Sequence, residues 1–145
     1  MAGWNPWAAA RAWPDLEIWF GEVPDGATWH RDERGDHITL DATATRRERR
    51  ALLAHELIHV ERGIGFPHAT SATMQREEAM VRRETAVRLV PLDDLDALVE
   101  RRGEVEPVTV ELVTEEFDVP EDVAREALLA LRQRGRTGLR SSRPA

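Results

Sequence analysis

From Ala51 to Val60 this sequence is apolar at every position except His55, Glu56 and His59, and that stretch constrains the fold more than any other. Thr45-Arg46-Arg47-Glu48 has the form of a capping box just before it, and Gly63 stands where a helix would stop, so the spacing predicts a helix from Arg46 to about Arg62. At about 100° per residue, His55, Leu52, His59 and Glu56 share one arc of roughly 100°. Val60, Leu53, Leu57, Ala54, Ile58 and Ala51 occupy the remaining apolar side. Such a helix is buried nearly all round. Its two histidines and carboxylate must then look into a site, where a partner charge offsets the cost of leaving water.

The flanks supply what surrounds that helix. Residues 1–43 read as short strands and turns: Leu16–Phe20, Ala27–His30 and His37–Asp41, separated by the turn signals Pro24-Asp25-Gly26 and Arg34-Gly35-Asp36. They predict a small antiparallel or mixed sheet. Beyond Gly63, residues 63–73 read as a loop, Met74–Val90 as a second long helix and Leu92–Arg102 as a third. Pro107–Arg134 reads as a helix, a turn at Asp118-Val119 and a helix from Pro120. The expected fold class is therefore α+β: a small N-terminal sheet, the His-Glu-x-x-His helix, a second helix facing it, and a helical C-terminal tail. With 145 residues, 41% of them apolar, the chain suits one compact domain with a small appendage. We assign a core to 1–103, a helical tail packed on it to 104–134, and a disordered end to 135–145, which is rich in Gly, Ser and Arg.

Composition removes several function classes. A formal charge of −7 disfavours general nucleic-acid binding. The tail argues the same way, since Val108 to Asp122 carries six acidic residues and no basic one, unlike a helix that reads DNA. The absence of cysteine excludes disulfides, thiolate metal sites and a cysteine nucleophile, and fits a reducing cytoplasm. The N-terminus lacks the basic start and apolar run of a signal peptide, and no stretch is long enough to span a bilayer. A cytoplasmic protein with no membrane contact is expected.

Residues four apart on a helix lie one above the other, so His55 and His59 can hold one divalent metal between two neutral nitrogens. Zinc suits histidine and carboxylate donors in a four-coordinate site with one position left to water. One Zn2+ is expected, lowering the pKa of that water towards neutrality, with Glu56 as the general base that passes the proton to the leaving amine. A third protein ligand must come from elsewhere. Glu77, Glu78 and Glu84 on the next helix are candidates, and spacing does not choose among them: Glu77 and Glu84 share a face, with Glu78 about 100° away. His30, His37 and His68 are candidates to stabilise an oxyanion, a role no tyrosine can take here. The five tryptophans, all before residue 30, read as core and edge-covering residues, with Trp4, Trp7 and Trp13 also able to form a partner surface.

The run Ala51-Leu-Leu-Ala-His-Glu-Leu-Ile-His-Val-Glu-Arg-Gly63, followed by Glu78-Ala-Met-Val-Arg-Arg-Glu-Thr-Ala-Val-Arg-Leu-Val-Pro91, resembles the ImmA/IrrE family of zincin-like metallo-endopeptidases, in particular its short actinobacterial and actinophage members. The resemblance implies that Glu78 is the third zinc ligand beside His55 and His59. Arg82 stands where the family has Asn or Asp, and Met80 where it has a second acid. The resemblance further implies that strand His37–Asp41 pairs its edge with an extended substrate, and that the tail is similar to the family's helix-turn-helix-like region. It implies a regulatory protease with a specific intracellular protein substrate, a helix-turn-helix DNA-binding repressor of a prophage or mobile element. The alternative is a zinc-holding regulatory module, weak or inactive as a catalyst, that binds a partner repressor; Arg82 favours it, and the retention of Glu56 disfavours it.

Overall fold

A computed structural model describes residues 3–63, 71–102 and 106–141, with side chains described as far as residue 135. The elements are α1 (Pro6–Ala12), β1 (Leu16–Gly21), β2 (Ala27–Asp32), β3 (Gly35–Asp41), α2 (Arg46–Arg62), α3 (Ser71–Leu89), α4 (Leu92–Arg102), α5 (Val110–Phe117) and α6 (Glu121–Ser141). The chain is α+β, a three-stranded sheet followed by helices. No described helix is long and apolar enough to cross a membrane.

The ends of α2 form as their residues dictate. Glu48 N–H donates to Thr45 Oγ1 at 3.1 Å, and Thr45 N–H donates to Glu48 Oε2 at 3.0 Å. Gly63 closes the helix in the left-handed region at φ 65°, its N–H donating to the carbonyl oxygens of His59 and Val60. Helix α1 departs from the strands and turns expected over residues 1–43. Its start signal is Asn5-Pro6: the Asn5 side chain accepts from the N–H groups of Trp7 and Ala8, and Pro6 fills the first turn, where no N–H is needed. The second correction lies at the other end. Helix α6 runs to Ser141 and not to Arg134, so the disordered end expected over 135–145 is helical in backbone for its described part. Gly135 and Gly138 weaken a helix by about 1 kcal/mol each relative to alanine, but neither blocks it as a proline would.

The strand order is β1-β3-β2. Strand β1 runs parallel to β3, from Leu16 opposite Asp36 to Gly21 opposite Asp41. Strand β2 runs antiparallel to it, from Ala27 opposite Leu40 to Asp32 opposite Gly35. Strand β3 is thus hydrogen-bonded on both sides, and the expectation that His37–Asp41 offers a pairing edge is overturned. Ile38 and Leu40 are fully buried, which is what a central strand demands; the edges are β1 and β2.

Helix α2 divides the interior into two cores. Leu53, Leu57 and Val60 pack with Ile38 and Leu40 of the sheet and Ala10 of α1. Ala51 and Ala54 join Ala86, Leu89, Leu95, Val113, Val123 and Ala127 of the later helices. The small side chains on that second side let α3 approach closely. The turn between α5 and α6 is tied to α2 by Arg47 Nε on Asp118 Oδ1 at 3.0 Å and by Arg50 Nη1 on the Asp118 carbonyl at 2.8 Å. The tail therefore shares its core with α2–α4, and the start of α6, at Pro120, Asp122 and Val123, forms one wall of the cleft described next.

Candidate metal centre

The polar arc of α2 opens into a cleft of about 640 Å³ bounded by the start of β2, by α2 and α3, and by the start of α6. Gly26 brings the β2 wall close. Its φ is 93°, which favours glycine, and a Cβ there would meet Leu52 Cδ2 of α2 at 2.7 Å and have to displace that side chain.

Three side chains converge in this cleft. His55 Nε2 lies 3.2 Å from His59 Nε2 and 3.1 Å from Glu78 Oε2, while His59 Nε2 lies 2.8 Å from Glu78 Oε1. Ligand atoms around a tetrahedral zinc ion, with bonds of roughly 2.0–2.2 Å, stand about 3.3 Å apart. The triangle is slightly smaller than that, and modest rotamer adjustment fits it to one ion. Its chemistry is also right: two imidazole nitrogens and a carboxylate point at one spot, an arrangement that concentrates lone pairs and calls for a cation. His59 is buried, backed by the Trp29 ring of β2 with centroids 6.4 Å apart and planes 14° from parallel. Burial holds the His55 imidazole below its ordinary range; Glu78 pulls it up, and His59 and Arg82 push it down. A neutral imidazole is the form that ligates metal.

The neighbouring glutamates are turned elsewhere. Glu77, one residue before Glu78, is buried against Arg62, whose Nη2 donates to Oε2 at 2.8 Å and whose Nε donates to Oε1. Glu84 accepts from Arg88 Nε at 2.9 Å. Of the three candidate third ligands, Glu78 is the one that joins both histidines in a group spaced to hold a metal ion. The face difference of about 100° between adjacent helical residues separates Glu77 from Glu78. Spacing could not decide which face turned inward.

Glu56 lines the cleft on the same helix as both histidines. Burial, followed by the charge of Glu78, raises its carboxyl to about 7, where it can both take and release a proton near neutrality. Two expected oxyanion residues are not here: His30 and His37 lie on the outer face of the sheet, and His68 falls outside the described residues. The cation that does line the cleft is Arg82, one helical turn beyond Glu78. Sequence reasoning treated it only as a departure from a motif, although its spacing of four from Glu78 placed it on the same helix face. The remaining charged lining is acidic: Asp25, Asp41, Glu48 and Asp122. No family model matches the chain, and no curated protein matches it either.

Proposed function

We propose that this protein is a zinc-dependent metallo-endopeptidase of the ImmA/IrrE type. The observation that carries the reading is the convergence of His55, His59 and Glu78, with Glu56 beside them in the same cleft. The three converging residues hold the ion. Zinc, when bound, supplies a Lewis acid that acidifies water and polarises the scissile carbonyl. A Glu56 carboxylate oxygen takes the proton of the attacking water and returns it to the leaving amine nitrogen. The Arg82 guanidinium faces the oxyanion that develops on the scissile carbonyl. Edge strand β2, whose first residue Ala27 lines the cleft just after Gly26, aligns the peptide by backbone pairing in place of the interior β3.

The proposed substrate is an intracellular helix-turn-helix repressor. The acidic lining of Asp25, Asp41, Glu48 and Asp122 complements the basic segments by which such proteins bind DNA. A second reading is a zinc-holding module that binds the repressor without cutting it. Arg82 favours this one, because it stands where the family has Asn or Asp, and a guanidinium cannot accept the hydrogen bond by which such a residue orients a ligand histidine.

One experiment tests both. Zinc content is measured on wild type and on Glu77→Gln, Glu78→Gln and Glu84→Gln, and a synthetic peptide library is digested with wild type and Glu56→Gln and read by mass spectrometry. Zinc lost only in Glu78→Gln, with cleavage abolished in Glu56→Gln, is the expected result. Zinc without cleavage selects the binding module, and no zinc in the wild type overturns both readings.

A further inference from the structure

A second cluster of metal-ligating side chains lies on the other face of the sheet. Strand alternation sends Ile38 and Leu40 into the core and puts His37 outside, with Glu17 of β1 opposite it on one flank and His30 of β2 opposite it on the other. Asp32, two residues beyond His30, lies on the same outer face. The rings of His30 and His37 stack with centroids 4.7 Å apart. His37 Nε2 is 2.8 Å from Asp32 Oδ1, and Nδ1 is 3.3 Å from Glu17 Oε2. Glu17 Oε2 is itself fixed by a hydrogen bond from Trp19 Nε1 at 3.1 Å. One ligand atom from each of His30, Asp32 and His37 lies within 4.8 Å of the others.

We infer that the outer face of the sheet binds a second divalent transition-metal ion of the zinc class, held by His30, Asp32 and His37 Nε2 and oriented by Glu17 through His37 Nδ1. Two imidazoles and a carboxylate select zinc, nickel or copper over calcium and magnesium, which take oxygen donors. A carboxylate on the far nitrogen of a ligating histidine fixes the tautomer and raises the basicity of the metal-facing nitrogen. Glu17 occupies that position. His37 is only 8% exposed, so its ring is held in place by packing. His30 and Asp32 are exposed; the Arg34 N–H fixes Asp32 Oδ1 at 2.8 Å beside His37, and the His30 ring can close towards the spacing of about 3.3 Å that a tetrahedral ion imposes. A doubly protonated His37 ring, donating from Nε2 to Asp32 and from Nδ1 to Glu17, would satisfy those three groups. It gives no part to His30, whose ring lies over His37 beside the same carboxylate.

The test is equilibrium dialysis of the full chain against Zn2+ at neutral pH, with bound metal counted by mass spectrometry. Wild type should hold two zinc ions per chain, His30→Ala and Glu78→Gln one each, and the double variant none. Glu17→Gln should keep the count while weakening the outer site roughly 10–100-fold. Asp32→Asn gives a second, independent removal of the outer site with little change in volume. A single zinc in the wild type, lost in Glu78→Gln and unaffected by His30→Ala and Asp32→Asn, overturns the outer site and leaves the cleft reading standing. A single zinc lost in His30→Ala and retained in Glu78→Gln supports the outer site and removes the cleft reading. No zinc in the wild type overturns both.

Discussion

Two histidine pairs in this small protein are built in opposite ways. In the cleft, His55 and His59 come from one helix, four residues apart, and the third donor arrives from a neighbouring helix. On the outer sheet face, His30 and His37 come from two strands and meet through the register of a hairpin. The first pair sits among buried residues, with His59 5% exposed, and it opens into a cleft with a carboxylate raised to about 7 beside it. The second has one buried ring and otherwise open partners. Both have the donor set for a metal, but only the first lies in a walled cleft with a buried carboxylate beside it, the features that the proposed reaction would use. A donor set alone defines binding; chemistry on a peptide needs the enclosure as well.

The sharpest way to break this contrast is at Glu56. Replacing it by glutamine should lower peptide hydrolysis by roughly 10²–10⁴-fold, the usual contribution of a general base, while zinc content stays at the wild-type level. His30→Ala should leave hydrolysis unchanged. Activity that survives Glu56→Gln, or that falls with His30→Ala, would mean that the chemistry had been placed on the wrong cluster.

The adjacent glutamates sharpen it next. Glu78→Gln should weaken zinc in the cleft by roughly 100-fold or more, since a neutral amide is a poor replacement for a carboxylate ligand. Glu77→Gln should leave zinc affinity within about threefold, because its carboxylate is committed to Arg62. Isothermal titration with Zn2+ in a competing buffer separates the two. Arg82 comes after them in size. Arg82→Ala should strengthen zinc binding by removing a like charge near His55, and it should lower turnover by roughly 10–100-fold if the guanidinium faces the oxyanion. Tighter zinc with unchanged turnover would remove Arg82 from the reaction.

The same contrast explains what was legible in the sequence. The geometry of His55, Glu56 and His59 is carried by spacing within one helix, whose capping box and terminal glycine were both readable, so the centre of the site followed from local pattern. The three strands were readable within a few residues for the same reason, since alternation and turn chemistry are local. Strand order was not. Placing β3 between β1 and β2 depends on which strand needs both flanks covered, and that is settled by packing of Ile38 and Leu40 under α2. The outer cluster was hidden because a meeting of Glu17, His37 and His30 requires both the order and the register. Helix α1 has a local start signal in Asn5-Pro6, but at seven residues it is too short for an apolar period to set it apart from the strands and turns expected over residues 1–43. The choice of Glu78 over Glu77 turned on a helix rotation that only the Arg62 ion pair and the α2–α3 contact fix.

That ion pair carries the smallest effect, and it tests the rotation of α3 without reference to metal. The Arg62 hydrogen bonds hold the Glu77 carboxyl below its ordinary range; burial opposes them, and the charge of Arg62 adds to them. A group depressed in the folded state contributes stability that is fully present above its unfolded value, near 4.5, and is lost as pH falls through the lower folded value. With chelator present to remove any metal contribution, Glu77→Gln should therefore melt a few degrees below wild type at neutral pH. The two melting curves should converge as the pH is taken below the folded pKa of Glu77, where the wild-type carboxyl is also neutral. A gap that persists in acid would mean that the substituted amide disturbs packing and not charge. α3 would then owe its rotation to its apolar face, from Val81 to Leu89, and the commitment of Glu78 to the cleft would no longer depend on its neighbour.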